Sequence, residues 1–255
     1  MTSFWKAFGN LFIRAMKQSI RPLAAILPTF FMPLFFFIVN SYAFKNLVNL
    51  PGFQASSYLA FYAPVALLMA VFFSSGDAGF ELMLDITNGY FEKLLLAPVP
   101  RLAIIAPRIV AMGLRALIQA IIMFILIIAF GAPYHGGIGG LVLLFGLVIL
   151  FGMAWSGIGL TLASLTKNPR VLQSSFILVF PLTFITTSQL PKNLLVGWYK
   201  TAVTINPLTY VLEGMRSIML NGIEWNKIIS AYIVVVVLLA VTATAAVLSF
   251  RRASH

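Results

Sequence analysis

The chain has 255 residues, 61% of them hydrophobic and only 9% charged, and carries a net charge of +11. Soluble domains run about 45–50% apolar and about 25% charged, so too few polar residues remain here to clothe a soluble surface, and a disordered chain is excluded on the same ground. The composition predicts an all-α polytopic membrane protein, because long apolar runs are helical spans rather than barrel strands.

The first element, residues 1–22, reads as an amphipathic helix. At 100° per residue, Lys6, Asn10, Arg14, Lys17 and Arg21 fall within an arc of about 80°, while Phe4, Trp5, Phe8, Leu11, Phe12 and Ala15 lie on the other side. Such a helix lies in the membrane interface with its basic face toward anionic headgroups, or packs on the soluble surface of a partner.

Six apolar stretches follow, each near the ~20 residues that a bilayer's hydrocarbon layer demands: Leu23–Phe44, Tyr58–Ser75, Ala116–Ala132, Leu141–Leu165, Val171–Ser188 and Ile228–Phe250. Asp77, Glu81 and Asp85 recur every fourth residue after the second stretch, so that helix is expected to run past the membrane with the acids on one face. The bland reading of this face is a solvated one. A sharper reading is a proton or cation site. Asn88-Gly89 breaks the helix, and a short helix, Tyr90–Ala97, follows before Pro98-Val-Pro100. The stiff exit predicts that this short helix moves as a unit with the third span.

In the fourth stretch Gly152, Ser156, Gly159 and Ala163 form a stripe of small residues that lets another helix approach closely. In the fifth, Pro181 is expected to kink the helix, with Thr183, Thr186, Thr187 and Ser188 available to satisfy the freed carbonyl. The segment 189–227 holds Asn206-Pro207, an N-cap with proline in the first turn. Leu208, Val211, Leu212, Met215 and Met219 then share a face, and Asn221-Gly222 ends the helix. It is too short to span, and with Leu194–Thr204 it reads as pieces that dip into or cap the outer leaflet. The whole chain, 1–255, is expected to be one transmembrane domain.

An even number of spans puts both termini on one side. Most of the 17 basic residues flank the spans on that side, among them Lys6, Arg14, Lys17, Lys93, Arg108, Arg115, Lys167 and Arg252. Lys45, Lys192, Lys200, Arg216 and Lys227 fall opposite. Cytoplasmic loops collect Lys and Arg, so the termini are expected inside. This asymmetry also accounts for the basic balance without nucleic acid.

The absence of cysteine removes disulfides and thiolate metal sites. His135 and His255 are isolated. No phosphate-cradling glycine loop and no Ser/His/Asp set occurs, so no catalytic residue, metal or cofactor of the chain's own is expected. Residues Met1 to Arg21 offer no clean apolar core, and no signal peptide is expected.

The loop Asn88-Gly-Tyr-Phe-Glu-Lys-Leu-Leu-Leu-Ala-Pro-Val-Pro-Arg101, then Phe180-Pro-Leu-Thr183 with Pro191 beyond, then Asn206-Pro-Leu-Thr-Tyr210 with Glu213 and Arg216, resemble in order the signature segments of one family. These are the permease subunits of type-2 ATP-binding-cassette exporters, in particular the daunorubicin-resistance branch. The stretch Thr186-Thr-Ser-Gln-Leu190 departs from the Gly- and Phe-rich pattern of many members. The resemblance implies a half-transporter of a bacterial-type plasma membrane that pairs with a copy or a relative and moves a hydrophobic or amphipathic substrate such as a drug, antibiotic or lipid. Two separate ATPase subunits would bind ATP and Mg and drive it. They would dock on the short helix through Tyr90, Phe91, Glu92, Lys93, Leu94 and Leu95. Phe61, Tyr62, Phe176, Phe180, Thr183 and Thr187 are candidates to line the path, or are ordinary packing residues. Two other functions stand beside this one: an ion-coupled secondary transporter using Asp77, Glu81 and Asp85, and a membrane scaffold.

Overall fold

The computed structural model describes residues 4–20, 23–53, 55–96, 100 and 102–253, and among them it is helical with no strand. The elements are α1 (Phe4–Ile20), α2 (Leu23–Ala43), α3 (Tyr58–Gly76), α4 (Ala78–Thr87), α5 (Tyr90–Leu96), α6 (Leu102–Ala129), α7 (Gly137–Thr166), α8 (Pro169–Val179), α9 (Gly197–Ile205), α10 (Pro207–Arg216) and α11 (Trp225–Ala253). Short 3₁₀ turns cover Lys45–Asn49, Phe180–Thr183 and Lys192–Leu194.

Helix α3 is the centre of the bundle. From Tyr58 to Gly76 every residue except Leu59 and Phe73 is buried. A helix apolar all round has no face to give to water, and its Ala60, Ala63, Ala66 and Ala70 let α2, α6, α7 and α10 approach it. Ser57 caps its start, accepting from the amide of Ala60 at 3.1 Å. The rim of the bundle is apolar too: Phe31 and Phe35 on α2, Ile118, Ile122 and Ile125 on α6, and Ile233, Val237 and Val241 on α11 are exposed. Faces this large have no place in water and belong against lipid.

Among the described residues four helical segments are long and apolar enough to cross a bilayer, at 58–87, 102–129, 137–166 and 225–250, and α2 contributes a shorter apolar run, Thr29–Ala43. The third span is longer than expected. It begins at Leu102 rather than near Ala116 and takes Arg108 and Arg115 onto its buried face. The fifth stretch departs further from expectation. It is not one kinked helix: α8 has 11 residues, about 16 Å or half a hydrocarbon layer, and turns occupy 184–190. Pro181 offers no amide to the ladder, and the hydroxyls of Thr183 and Thr186 donate instead to the carbonyls of Phe180 (2.7 Å) and Thr183 (2.8 Å). The chain is thereby held in local turns.

The small-residue stripe on α7 meets α3, α4 and α6. A Cβ on Gly152 would lie 2.5 Å from the Cβ of Ala116, and one on Gly159 would lie 3.0 Å from the backbone nitrogen of Gly79. Ser156 and Ala163 on the same face are buried. The backbones of α4 and α7 thus touch near the end of the bundle that carries α1 and α5.

Candidate functional site

At that end a charged junction joins three helices. Arg14 of α1 donates to both carboxylate oxygens of Asp85, at 2.9 and 2.6 Å, and Arg108 of α6 donates to the same carboxylate. Arg115, two turns along α6, donates to Asp77 at 2.6 Å and Glu81 at 3.0 Å. Ser19 of α1 donates to Glu81 at 3.1 Å, and Gln18 to the Glu81 carbonyl at 3.2 Å. Asp85, Arg108 and Arg115 are buried. The solvated acidic face expected from the sequence is therefore absent: each carboxylate is matched by a guanidinium, as burial requires. Among the described residues no cluster of His, Cys, Asp and Glu is arranged to hold a metal.

The junction changes the role of α1. Arg14, expected on the headgroup-facing side, is turned to Asp85, whose hydrogen bonds hold its guanidinium above its usual range. Ala7, Ala15 and Ser19 are buried, and α1 packs along α6. Lys6, Asn10 and Lys17 remain exposed, with Trp5 and Ile13 as exposed apolar neighbours. Arg21 lies outside the described residues.

Helix α5 is fixed to this junction. After the turn at Asn88 and Gly89 (φ +68° at the glycine), the ring of Tyr90 stacks under the Arg14 guanidinium at 3.7 Å. The ring of Phe91 meets that of Phe250 on α11 edge-on, centroids 5.1 Å apart. Phe91 and Leu94 are buried inside the chain, so they cannot serve as the partner-facing anchors expected of them. Glu92, Lys93 and Leu96 point outward, with Leu96 86% exposed. The side chain of Leu95 and residues 97–99 and 101, which include the expected stiff exit, lie outside the description.

Five of the six path candidates have described side chains, and each is held in contacts within the chain. Phe61 lies under the Arg216 guanidinium at 3.9 Å, and Tyr62 is fully buried and stacked on Tyr58. Phe180 packs against Phe73 and Phe184, at 5.6 and 5.3 Å. Thr183 serves the 180–183 turn. Thr187 donates to the Glu213 carboxylate and accepts from Arg216 at 3.1 Å. The Phe176 side chain lies outside the description.

Arg216 was not foreseen as an organising residue. It is buried, donates to Glu213 (2.8 Å) and to the carbonyl of Thr187 (2.8 Å), and so ties the irregular 184–190 segment to α10. Asn206 does the same at the other end of α10: its side chain caps Leu208 and donates to the carbonyls of Leu182 and Ile185. Two clefts flank the α9–α10 hairpin. One, about 510 Å³, is apolar and lies among α7, the 182–185 turn, α9, the start of α10, and α11. The other, about 480 Å³, is lined by Lys192, Lys200, Arg216 and Lys227 with one acid, Glu213.

The family model described as ABC-2 type transporter matches residues 6–220 of the chain. The chain is 27% identical, over 74% of its length and 66% of the relative's, to a daunorubicin resistance ABC transporter permease protein of Streptomyces coeruleorubidus. It is 22% identical, over 94% of its length and 87% of the relative's, to a probable doxorubicin resistance ABC transporter permease protein of Mycobacterium tuberculosis. It is also 28% identical, over 85% of its length and 74% of the relative's, to a putative transport permease of Pyropia yezoensis.

Proposed function

The chain belongs to the ABC-2 type transporter family, and from that premise we propose that it is the permease half of an ATP-driven exporter moving a hydrophobic or amphipathic molecule outward across the plasma membrane. The relatives named for resistance to daunorubicin and doxorubicin favour a drug-like or lipid-like cargo. ATP and Mg bind a separate ATPase subunit, two copies of which serve two permease halves. Both termini, Glu92 and Lys167 lie on the cytoplasmic side, and Lys45, His135 and Lys200 lie outside.

The observation that carries the reading is the setting of α5. A seven-residue helix is too short to be stable alone, yet Tyr90 and Phe91 bind it to α1 and α11 while Glu92, Lys93 and Leu96 stay open. That is the form of a lever: one face held by the bundle, the other free for a partner. Closing of the ATPase pair on ATP displaces α5. The displacement passes through α4 and the Asp85–Arg14–Arg108 and Asp77/Glu81–Arg115 links to α1 and α6 together. The bundle then shifts between two packings, biased by the differential affinity of the partner for them.

The ion-coupled alternative loses its support, because an arginine already occupies each carboxylate that would bind the ion. The test is transport in vesicles holding this chain with and without its ATPase. Substrate movement that requires ATP and the ATPase is expected. Robust movement by the chain alone on a proton or sodium gradient would overturn the reading.

A further inference from the structure

The end of the bundle that carries Tyr58, Gln189 and Asn221 lies opposite α1 and α5. It faces outward in the proposed orientation. Cations are sparse on that side, as the asymmetry of membrane proteins demands: Lys45, Lys192, Lys200, Arg216 and Lys227. Four of these five line one cleft, that of about 480 Å³ beside the α9–α10 hairpin. Cations repel one another, so their convergence in one hollow calls for a counter-charge. The acids nearby supply it for Arg216 and Lys227 and leave Lys192 and Lys200 unanswered. Glu213 is bound to Arg216 and Thr187. Glu224, just outside the last span, is bound to Lys227 at 2.7 Å, which holds its carboxyl below the usual range. No carboxylate pairs with Lys192 or Lys200 among the described residues.

Two further donors belong to residues that line the same cleft. Of the five N–H groups of a guanidinium, Arg216 commits four, to Phe61, Thr187 twice and Glu213. The hydroxyl of Ser217, 1% exposed and lining the cleft, has no hydrogen-bond partner among the described residues. Buried polar groups are ordinarily satisfied, and an oxyanion would satisfy this one. The apolar cleft sits on the opposite side of the same hairpin. At about 100° per residue Pro207, which lines it, projects about 180° from Arg216 and about 120° from Glu213,.

We propose that the Lys192–Lys200–Arg216 cleft binds the phosphate group of an amphiphile at the outer end of the permease. The group's oxygens take the two free lysines and the Ser217 hydroxyl, while the amphiphile's apolar part stays in the membrane. The assignment of that amphiphile as cargo rests on the exporter reading, whereas the anion site itself does not.

The test uses the full chain in nanodiscs of zwitterionic phosphatidylcholine, with dodecyl phosphate as probe and dodecyltrimethylammonium as the cationic counterpart. Dodecyl phosphate is expected to bind in a salt-sensitive manner. Lys192→Ala/Lys200→Ala should weaken it roughly tenfold or more, Lys192→Arg/Lys200→Arg should restore it, and Lys45→Ala, outside the cleft, should leave it unchanged. Both lysines are exposed, and circular dichroism checks that the variants fold. Discs containing phosphatidate separate the two sources of phosphate: competition identifies a membrane lipid headgroup as the occupant, and undiminished dodecyl phosphate binding identifies a free amphiphile. Equal binding by the double-alanine chain, or equal binding of the cationic probe, overturns the proposal. No ATPase or nucleotide is present, so a negative result leaves ATP-driven export standing, and failure of export leaves a positive binding result standing.

Discussion

Arg115 on α6 holds Asp77 at the α3–α4 turn, Nη2 to Oδ2 at 2.6 Å, with its other nitrogen on Glu81 at 3.0 Å. One buried cation thus hydrogen-bonds two carboxylates a turn apart and balances the charge of one of them. Removing it strands the mostly buried Glu81 carboxylate, while Asp77 is part-exposed, and breaking a buried pair on one side costs about 3–5 kcal/mol. Arg115→Ala should therefore sharply lower the yield of folded protein and its melting temperature in detergent. Replacing Asp77 and Glu81 with amides together with Arg115→Gln should recover part of the loss, since neutral partners can hydrogen-bond without a stranded charge. Equal stability of Arg115→Ala and the parent chain would show that the pairs do not form.

The contact of α4 with α7 makes a second expectation. A Cβ on Gly79 would lie 2.7 Å from the carbonyl oxygen of Gly159, whereas nothing lies within 4 Å of one on Gly9. Both glycines are helical. Gly79→Ala forces two backbones apart and should destabilise by about 1–3 kcal/mol. Gly9→Ala should be neutral or slightly stabilising, because alanine favours a helix over glycine by about 1 kcal/mol. Thermal denaturation of the two variants side by side tests the close approach.

Much of this was legible in the sequence. Runs of apolar residues placed α2, α3, α6, α7 and α11, and Asn88-Gly89 and Asn206-Pro207 marked the boundaries of α5 and α10, because chain-local chemistry sets them. The ion network was misread because periodicity on one helix reports a shared face, not what lies across from it. A signal was there: Arg108 and Arg115 are seven residues apart and so share a face of α6, with a spacing that matches Asp77, Glu81 and Asp85. The break after Val179 was read as a kink. Whether a helix resumes beyond a proline depends on tertiary partners, here Arg216 and Asn206, which bind the carbonyls of Thr187, Leu182 and Ile185. The inward turn of Phe91 depends on Phe250, 159 positions away in the chain, and no local pattern carries that.

Topology can be measured directly. The chain has no cysteine, so single cysteines introduce no background. An impermeant thiol reagent applied to intact cells should label positions 45, 135 and 200, all exposed, and spare 92 and 167, which are also exposed but expected inside. The reagent reaching position 92 from outside would invert the orientation and with it the place of the basic cleft.

The last prediction separates fixing α5 from coupling through it. Phe91 is 2% exposed and packs on Phe250, so Phe91→Ala removes a core ring and should cost about 3–5 kcal/mol of stability. Its effect on any partner would follow from a loosened helix. Glu92 and Lys93 are exposed and make no such contribution. Exchanging their charges, Glu92→Lys with Lys93→Glu, should leave the stability within about 0.5 kcal/mol of the parent. If an ATPase docks on this face, the same exchange should weaken its association in a pull-down and lower substrate-stimulated ATP hydrolysis, because misplaced charges at an interface repel the partner that matched the originals. Leu96→Asp, on the same open face and 86% exposed in the chain alone, should act likewise by placing a charge where an apolar contact forms. Undiminished association and hydrolysis in both variants would show that the partner does not read α5. The lever would then have to act through another surface, such as the exposed Lys6, Asn10 and Lys17 of α1.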